Sequence, residues 1–252
     1  MLTDFLPSAL SPGAALVIVA VSFLGSAITA AFSIGGGLLL IAVMTTLMPA
    51  PAVVPVHGVV MVGSNAGRSA ILRRGIDWPT VGWFSGGALV GGLVGSQVVF
   101  GLPATALRLL IAGFILFTQW GPKVSLPLGR PSFVAAGTLS TFLTLFVGAS
   151  GPFMTAVLSK MPSYDRVTLI ATSGACMTLQ HALKVAIFAA GGFAYAAWLP
   201  FVAACLAFGL AGTVLGTRLL KRLDERLFRA ALRWLLTALA GYLLVAGLAS
   251  LA

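Results

Sequence analysis

The sequence predicts an all-α polytopic membrane protein, and three features predict it: the composition, long stretches without charge and an internal repeat. Of the 252 residues, 59% are hydrophobic and 8% are charged, whereas soluble globular domains carry about 25% charged residues. No Asp, Glu, Lys or Arg occurs between residues 5 and 67, and apolar runs of about 18 or more residues are typical of transmembrane helices. One soluble core could not bury so much apolar surface.

Hydropathy, read with breaks at Gly, Pro and charged residues, predicts five apolar segments in each half of the chain. The segments of the first half are 13–33, 37–48, 52–72, 79–100 and 104–120, and those of the second half are 132–148, 151–161, 166–190, 195–219 and 227–250. The second segment of each half is too short to cross a hydrocarbon core of about 30 Å. We therefore predict short or re-entrant helices at two runs of small residues, 33–37 and 148–152.

The two halves also correspond residue by residue. Gly91 and Gly95 align with Gly212 and Gly216 at an offset of 121 residues, and the same offset brings Arg108 onto Arg229. Both glycine pairs are GxxxG steps, which let helix backbones approach closely in lipid. We predict a first repeat over residues 1–122, a cytoplasmic linker over 123–131 and a second repeat over 132–252.

The positions of Lys and Arg predict the orientation, because these residues gather in short cytoplasmic loops. If both termini lie outside, the basic loops all lie inside, namely 73–77, 123–130, 160–166 and 221–226. The loops without Lys or Arg then lie outside, namely 48–52, 101–104, 148–151 and 189–195. Basic loops of one half correspond to uncharged loops of the other, so we predict that the two repeats insert in opposite directions. Inverted repeats are a transporter architecture, with the site near the midplane at the repeat interface.

Several short sequence features occur in the same order as in a known protein family, over nearly the whole chain. Each half has a run of small residues, a short apolar segment that ends in Met-Pro, and a third segment, which in the first half closes at the Arg-Arg-Gly-Ile-Asp-Trp sequence of residues 73–78. In this order the sequence resembles the TauE/SafE sulfite exporter family of membrane permeases. The second run is Gly-Ala-Ser-Gly-Pro rather than three glycines, and Val56-His57-Gly58 stands where many relatives look like Gly-Thr-Ser. The resemblance implies a bacterial inner-membrane carrier that exports sulfite or an organosulfonate such as sulfoacetate.

Two basic residues in the third segments are the first candidates for a binding site. A charge at the centre of a membrane helix costs at least about 2.5–3.5 kcal/mol, so Arg68 and Lys184 are functional candidates. We predict that they attract an anion, with hydrogen bonds from neighbouring polar side chains and from the backbone N–H groups that begin the short helices. The alternatives are that Arg68 snorkels to the surface and that the glycines serve helix packing. The predicted substrate site comprises Gly35, Gly36, Gly37, His57, Ser64, Asn65, Arg68, Ser150, Gly151, Thr172, Ser173, Gln180 and Lys184.

Two rival functions are open to the sequence. The Gly-Ala-Ser-Gly sequence of residues 148–151 resembles the GxSG motif of rhomboid intramembrane proteases, with Ser150 as nucleophile and His181 as the available base. We disfavour this enzyme because glycines occupy the equivalent place in the first half and Pro152 follows at once. An anion channel is the other rival, and flux that does not saturate with substrate would distinguish it.

The remaining expectations concern cofactors and partners. The two cysteines, Cys176 and Cys205, lie in apolar segments without metal-ligand spacing, so we expect no metal and no cofactor. All five acidic residues fall in terminal or loop regions, which leaves no intramembrane carboxylate to bind sodium or relay protons. Basic residues that set orientation explain the charge of +10, so we expect no nucleic acid partner. The expected partners are a small anion and the lipid bilayer, and a homo-oligomer is possible.

Overall fold

Within the described residues, the computed structural model contains helices joined by turns and no β-strand, as the sequence predicts. The structure describes residues 7, 9–32, 35–101, 103–122, 129–148, 150–219 and 225–251. Its first half forms the helices α1 (Pro12–Phe32), α2 (Gly36–Leu47), α3 (Ala50–Ile71), α4 (Trp78–Ser96) and α5 (Ala104–Trp120). Its second half forms α6 (Arg130–Val147), α7 (Gly151–Leu158), α8 (Arg166–Ala190), α9 (Leu199–Leu219) and α10 (Glu225–Ala249).

Some of the predicted features lie outside the described residues. They are Ser33 and Ile34 of the first small-residue run, Ala149 of the second run, residues 123–128 of the predicted linker and the basic loop residues 221–224.

Four stretches of helix are long and apolar enough to cross a membrane by length and composition, namely Pro12–Phe32, Arg130–Val147, Tyr195–Arg218 and Ala230–Ala249. The second helix of each half is short, as predicted. Helix α2 has 12 residues and α7 has 8, which at 1.5 Å per residue gives lengths of about 18 and about 12 Å. Neither helix spans a hydrocarbon core of about 30 Å. Helix α2 is also enclosed by protein, since Leu38, Leu40 and Ile41 are at most 1% exposed.

The close helix pairs are α1 with α9 and α4 with α6. Glycines of the two GxxxG steps lie at these contacts. A Cβ atom at Gly91 would lie 2.0 Å from the carbonyl oxygen of Thr138, and one at Gly212 would lie 2.1 Å from that of Phe23. Since no side chain fits at either distance, these glycines serve direct backbone packing.

Helices α3 and α8 pack against each other at the centre of the molecule. A Cβ atom at Gly58 would contact the side chain of Lys184, whereas one at Gly174 would contact that of Arg68. Residue numbers therefore rise along α3 where they fall along α8, and the two helices are antiparallel. Helix α9 packs beside α3 and α4 packs beside α8, while α5 packs against α10.

Candidate functional site

The two helix breaks meet at one cavity in the middle of the molecule. Gly35 precedes α2 with a φ of 98°, and Gly148 ends α6 with a φ of 75°. Both values lie in the left-handed region, which glycine adopts without a steric penalty. The cavity between the breaks has a volume of about 40 Å³, and we call it the central cavity. Its lining residues are Thr29, Gly35, Gly37, Leu38, Met61, Ser64, Asn65, Arg68, Ser150, Gly151, Ser173, Met177 and His181.

Helices α3 and α8 each present one face to the central cavity. The lining residues of α3 are Met61, Ser64, Asn65 and Arg68, and those of α8 are Ser173, Met177 and His181. Positions three or four apart lie on the same side of a helix. The polar residues that the sequence places at these spacings therefore converge on one space.

The structure brings together eight of the thirteen predicted site residues and leaves five outside the lining. The eight that line the central cavity are Gly35, Gly37, Ser64, Asn65, Arg68, Ser150, Gly151 and Ser173. The five that do not line it are Gly36, His57, Thr172, Gln180 and Lys184.

Arg68 enters the central cavity with part of its guanidinium unpaired. Its Nη2 donates to Asn65 Oδ1 at 2.7 Å, and its Nη1 donates to the carbonyl oxygen of Thr29 at 3.2 Å. The Nε atom is buried and has no partner. The side chain is only 2% exposed, which does not fit an arginine that snorkels to the surface. One N–H donor of this permanent cation therefore has no acceptor among the described residues.

His181 is the second residue of the cavity lining with an unpaired buried atom. The residue is 3% exposed, and its Nδ1 is buried without a hydrogen-bond partner. From the sequence, His181 is a candidate for taking a proton or for the base of a protease, but it is not among the predicted substrate-site residues. The signal that could have placed it in the binding site is its spacing, because it follows Ser173 by eight residues and thus shares that residue's face of α8.

Both short helices begin at the central cavity, and neither has a side-chain cap. Gly35 and Ser150 are the N-cap residues of α2 and α7, and neither makes a side-chain cap hydrogen bond. The first backbone N–H groups of a helix have no partner within the helix. Both starts add the positive end of a helix dipole to the cavity. The start of α7 adds fewer backbone donors than that of α2, because Pro152 has no N–H and the Phe153 N–H donates to the Ser150 carbonyl oxygen at 3.1 Å.

Lys184 and His57 connect the two breaks beside the central cavity. Lys184 Nζ donates to the carbonyl oxygen of Gly148 at 3.0 Å and lies 3.5 Å from His57 Nδ1, while His57 Nε2 lies 3.1 Å from the carbonyl oxygen of Gly37. A neutral His57 with its proton on Nε2 satisfies every contact, since Nδ1 then accepts from the ammonium. We call this chain from Gly37 to Gly148 the Lys184–His57 bridge. Both of its side chains are 0% exposed.

Gln180 and Ser150 form a separate polar contact behind the second break. Gln180 Nε2 donates to Ser150 Oγ at 2.6 Å, and Gln180 Oε1 accepts from Ser140 Oγ at 2.8 Å. Among the described residues no hydrogen bond joins Ser150 to His181. The geometry therefore gives no support to a serine protease with these two residues.

Thr172 belongs to a network at the start of α8. Its Oγ1 accepts from the backbone N–H of Asp77 at 3.0 Å. The carboxylate of Asp77 accepts from Thr80 and from the hydroxyl of Tyr164. Burial, together with the hydrogen bond to Asp77, raises the pKa of the Tyr164 hydroxyl. Thr172 thus fixes the loop before α4 to α8.

Asp165 begins α8 as its N-cap. Its Oδ1 accepts from the backbone N–H of Thr168 at 2.7 Å, and hydrogen bonds from Thr168 lower the pKa of the carboxyl group. The described residues contain no group of three or more His, Cys, Asp or Glu side chains that could hold a metal ion.

Comparison with protein-family models gives a match over most of the chain. The family model for "Sulfite exporter TauE/SafE" matches residues 18–243, which is nearly the whole chain. No curated protein and no solved structure matches the chain.

Proposed function

Since the chain belongs to the TauE/SafE sulfite exporter family, a family of membrane transporters, we propose that it exports small sulfur-containing anions through the central cavity. The proposed substrates are sulfite or an organosulfonate such as sulfoacetate. The proposed location is the bacterial inner membrane, which the chain crosses several times with both termini outside.

The observation that carries this proposal is the pair of unpaired atoms at the central cavity. Four buried side-chain polar atoms have no hydrogen-bond partner among the described residues, and two of them, Arg68 Nε and His181 Nδ1, belong to residues that line the cavity. A buried polar atom without a partner costs about 1–3 kcal/mol. An oxyanion in the cavity would supply a charge opposite to that of Arg68 and acceptors for N–H groups of Arg68 and of a protonated His181.

The backbone around the central cavity also favours an anion. Helices α2 and α7 both begin there without side-chain caps, and uncapped helix N-termini attract anions through free N–H groups and the helix dipole. The cavity volume of about 40 Å³ has room for a few water molecules, each of which needs about 10–15 Å³. This space matches a small oxyanion such as sulfite, and a longer organosulfonate requires the cavity to widen.

We also propose that residues 1–122 and 132–252 are inverted repeats. If α1 to α5 correspond to α6 to α10, a two-fold relation converts the α1 and α9 pair into the α6 and α4 pair, and these are the two close helix pairs. The same relation converts the α3 and α9 contact into the α8 and α4 contact, which also occurs. The central cavity, between α3 and α8, then lies on the two-fold axis, where transporters of this architecture bind substrate.

Sulfite efflux from liposomes tests the proposed function. We expect liposomes that contain the purified protein to release sulfite at a rate that saturates with sulfite concentration. The Arg68→Gln variant should fall to the rate of protein-free liposomes, because it loses the cation at the cavity. Arg73→Gln is the matched control, since it removes the same charge from an exposed turn after α3.

Two results would contradict the proposal. A rate that rises linearly with sulfite concentration would indicate a channel. A rate for Arg68→Gln equal to that of the wild type would remove the central cavity from the transport path. Thermal-shift measurements with sulfite, sulfoacetate and taurine then rank the substrates.

A further inference from the structure

The central cavity is bordered by basic side chains and by no acid of the described helices. His181 lines the cavity, its ring centroid lies 6.0 Å from that of His57, and Lys184 lies beyond His57 in the Lys184–His57 bridge. Arg68 lines the same cavity. This arrangement has a consequence for the charge of the anion that the cavity accepts.

The other titratable groups near His181 do not change this balance. Within the described residues, the helices packed against α8 are α3, α4, α6 and α7. These helices, α8 itself and the turn after α3 carry no acidic side chain. Their titratable or charged residues are His57, Arg68, Arg73, Arg74, Arg130, Arg166, Cys176, His181 and Lys184. Asp77 contacts α8 at Thr172, which lies nine residues, or about two and a half helical turns, before His181.

His181 is the group of this cluster that can change its charge at the central cavity. Arg68 is a permanent cation. Lys184 donates to the Gly148 carbonyl and to His57, and neither residue of the Lys184–His57 bridge lines the cavity. His181 alone combines a place in the lining with a buried, unpaired ring nitrogen. A protonated His181 carries a positive charge and has N–H donors at both ring nitrogens, so it adds a second cation to the lining of the cavity.

The number of charges on the anion decides whether that proton is needed. A singly charged anion is balanced by Arg68. A doubly charged anion leaves one negative charge uncompensated in a buried space, which is costly unless a second cation is present. In the empty cavity, a proton on His181 adds positive charge beside Arg68 and the Lys184–His57 bridge, and like charges oppose it.

We propose that His181 binds one proton together with each doubly charged oxyanion, so that this residue sets the preference of the cavity between doubly and singly charged substrates. This inference rests on the proposed function of the central cavity. The proton comes from water and binds the free lone pair of the imidazole, and it returns to water when the anion leaves. Binding of the anion and of the proton are then linked, and each strengthens the other by the same factor.

The test compares sulfate with methanesulfonate, two anions of similar size that carry two charges and one charge. Neither changes its protonation between about pH 6 and 8, the range in which histidine titrates. Binding is measured with the purified full chain in lipid nanodiscs by thermal-shift titration at three pH values in this range. We expect the apparent Kd for sulfate to rise as the pH rises, by up to about tenfold per pH unit for one linked proton. The apparent Kd for methanesulfonate should change less than about threefold over the same range.

Variants of His181 and His57 show which histidine causes the pH dependence of sulfate binding. His181→Gln and His181→Asn should lose the pH dependence for sulfate and still bind methanesulfonate, because Arg68 is intact. His57→Gln should keep the pH dependence, since His57 does not line the cavity.

Each contrary outcome has a distinct meaning. Three results overturn the inference: sulfate binding that does not depend on pH, a pH dependence that persists in both His181 variants, and a pH dependence that is lost in His57→Gln. Each of them leaves the proposed function intact. Loss of methanesulfonate binding in both His181 variants also overturns it, because His181 would then act by more than its proton. Failure of sulfate, methanesulfonate and sulfite to bind the wild-type protein overturns the proposed function as well.

Discussion

Arg68 and Lys184 are both buried cations on the two central helices, yet their surroundings differ. Arg68 borders the central cavity and keeps Nε unpaired. Lys184 lies outside the lining and donates to the carbonyl group of Gly148, the last residue before the second break. One cation is available to a ligand, whereas the other holds the two helix breaks in place. Two buried cations on the third segments of the two halves can therefore have different roles.

A glycine on the opposing helix makes room for each cation, and the contacts of the two glycines differ as the surroundings of the two cations do. A Cβ atom at Gly58 would lie 2.8 Å from Cε of Lys184. A Cβ atom at Gly174 would lie 3.2 Å from Nε of Arg68. Gly58 thus allows α3 to pack over the Lys184 side chain, while Gly174 leaves space at the unpaired end of Arg68.

The largest effect is expected from Arg68→Lys, which keeps the charge and changes the geometry. An ammonium group at this position has three donors, two of which would serve Asn65 and the Thr29 carbonyl, and the third would not be held in the direction of the guanidinium Nε. Hydrogen bonds to charged groups contribute about 1.5–3 kcal/mol, so sulfite binding should weaken by about 10- to 100-fold. Thermal-shift titration with sulfite measures the change. Wild-type affinity in this variant would show that charge alone, without the guanidinium, is sufficient.

The next effect concerns the space at the second break. A Cβ atom at Gly151 meets no atom within 4 Å, and Gly151 lines the central cavity. An alanine methyl group there should fit without strain and reduce the room for the anion. Crowding by one methyl group costs about 1–3 kcal/mol, so Gly151→Ala should weaken sulfite binding by about tenfold and leave the Tm unchanged.

A matched control for Gly151→Ala is Gly241→Ala. Gly241 lies in α10 and also has no atom within 4 Å of an added Cβ, but it does not line the central cavity. This variant should bind sulfite as the wild type does. Equal effects of the two substitutions would mean that the space beside Gly151 is not occupied by the anion.

The sequence predicted the helices well where a chemical break marks their ends. The segment 166–190 coincides with α8 because Asp165 caps its start and the glycines at 191 and 192 follow its end. The segment 151–161 is longer than α7, which ends at Leu158. Ser159 and Lys160 follow α7 directly, so the polar residues mark its end more closely than the Met-Pro of residues 161 and 162 does.

The central cavity was predictable where helical spacing alone decides which residues meet. Ser64, Asn65 and Arg68 share a face of α3, and all three line the cavity. His57 lies on the same helix but contacts the Gly37 carbonyl. Which residues along α3 lie level with the cavity depends on how α2 and α7 pack against it, and hydropathy does not predict that packing. His181 was missed for the converse reason, because a single histidine in an apolar segment carries no signal until its neighbours are known.

The smallest effect on binding is expected from Lys184→Met, and this variant decides whether Lys184 belongs to the site. Methionine fills a similar volume, so the packing against Gly58 is kept. Sulfite affinity should fall by less than about threefold, because Lys184 acts on the cavity through its field and not through contact. The Tm should not fall, since the loss of a donor to the Gly148 carbonyl is offset by removal of a buried charge.

Sulfite titrations of Lys184→Met and Arg68→Lys compare the contributions of the two cations to sulfite affinity directly. A loss of affinity as large as that of Arg68→Lys would place the ammonium of Lys184 in contact with the anion, as the sequence predicts. In that case the Lys184–His57 bridge must open when the anion binds, because its donors cannot serve the Gly148 carbonyl and the anion with one geometry. A small loss together with an unchanged Tm would instead identify the bridge as the structural link between the two breaks.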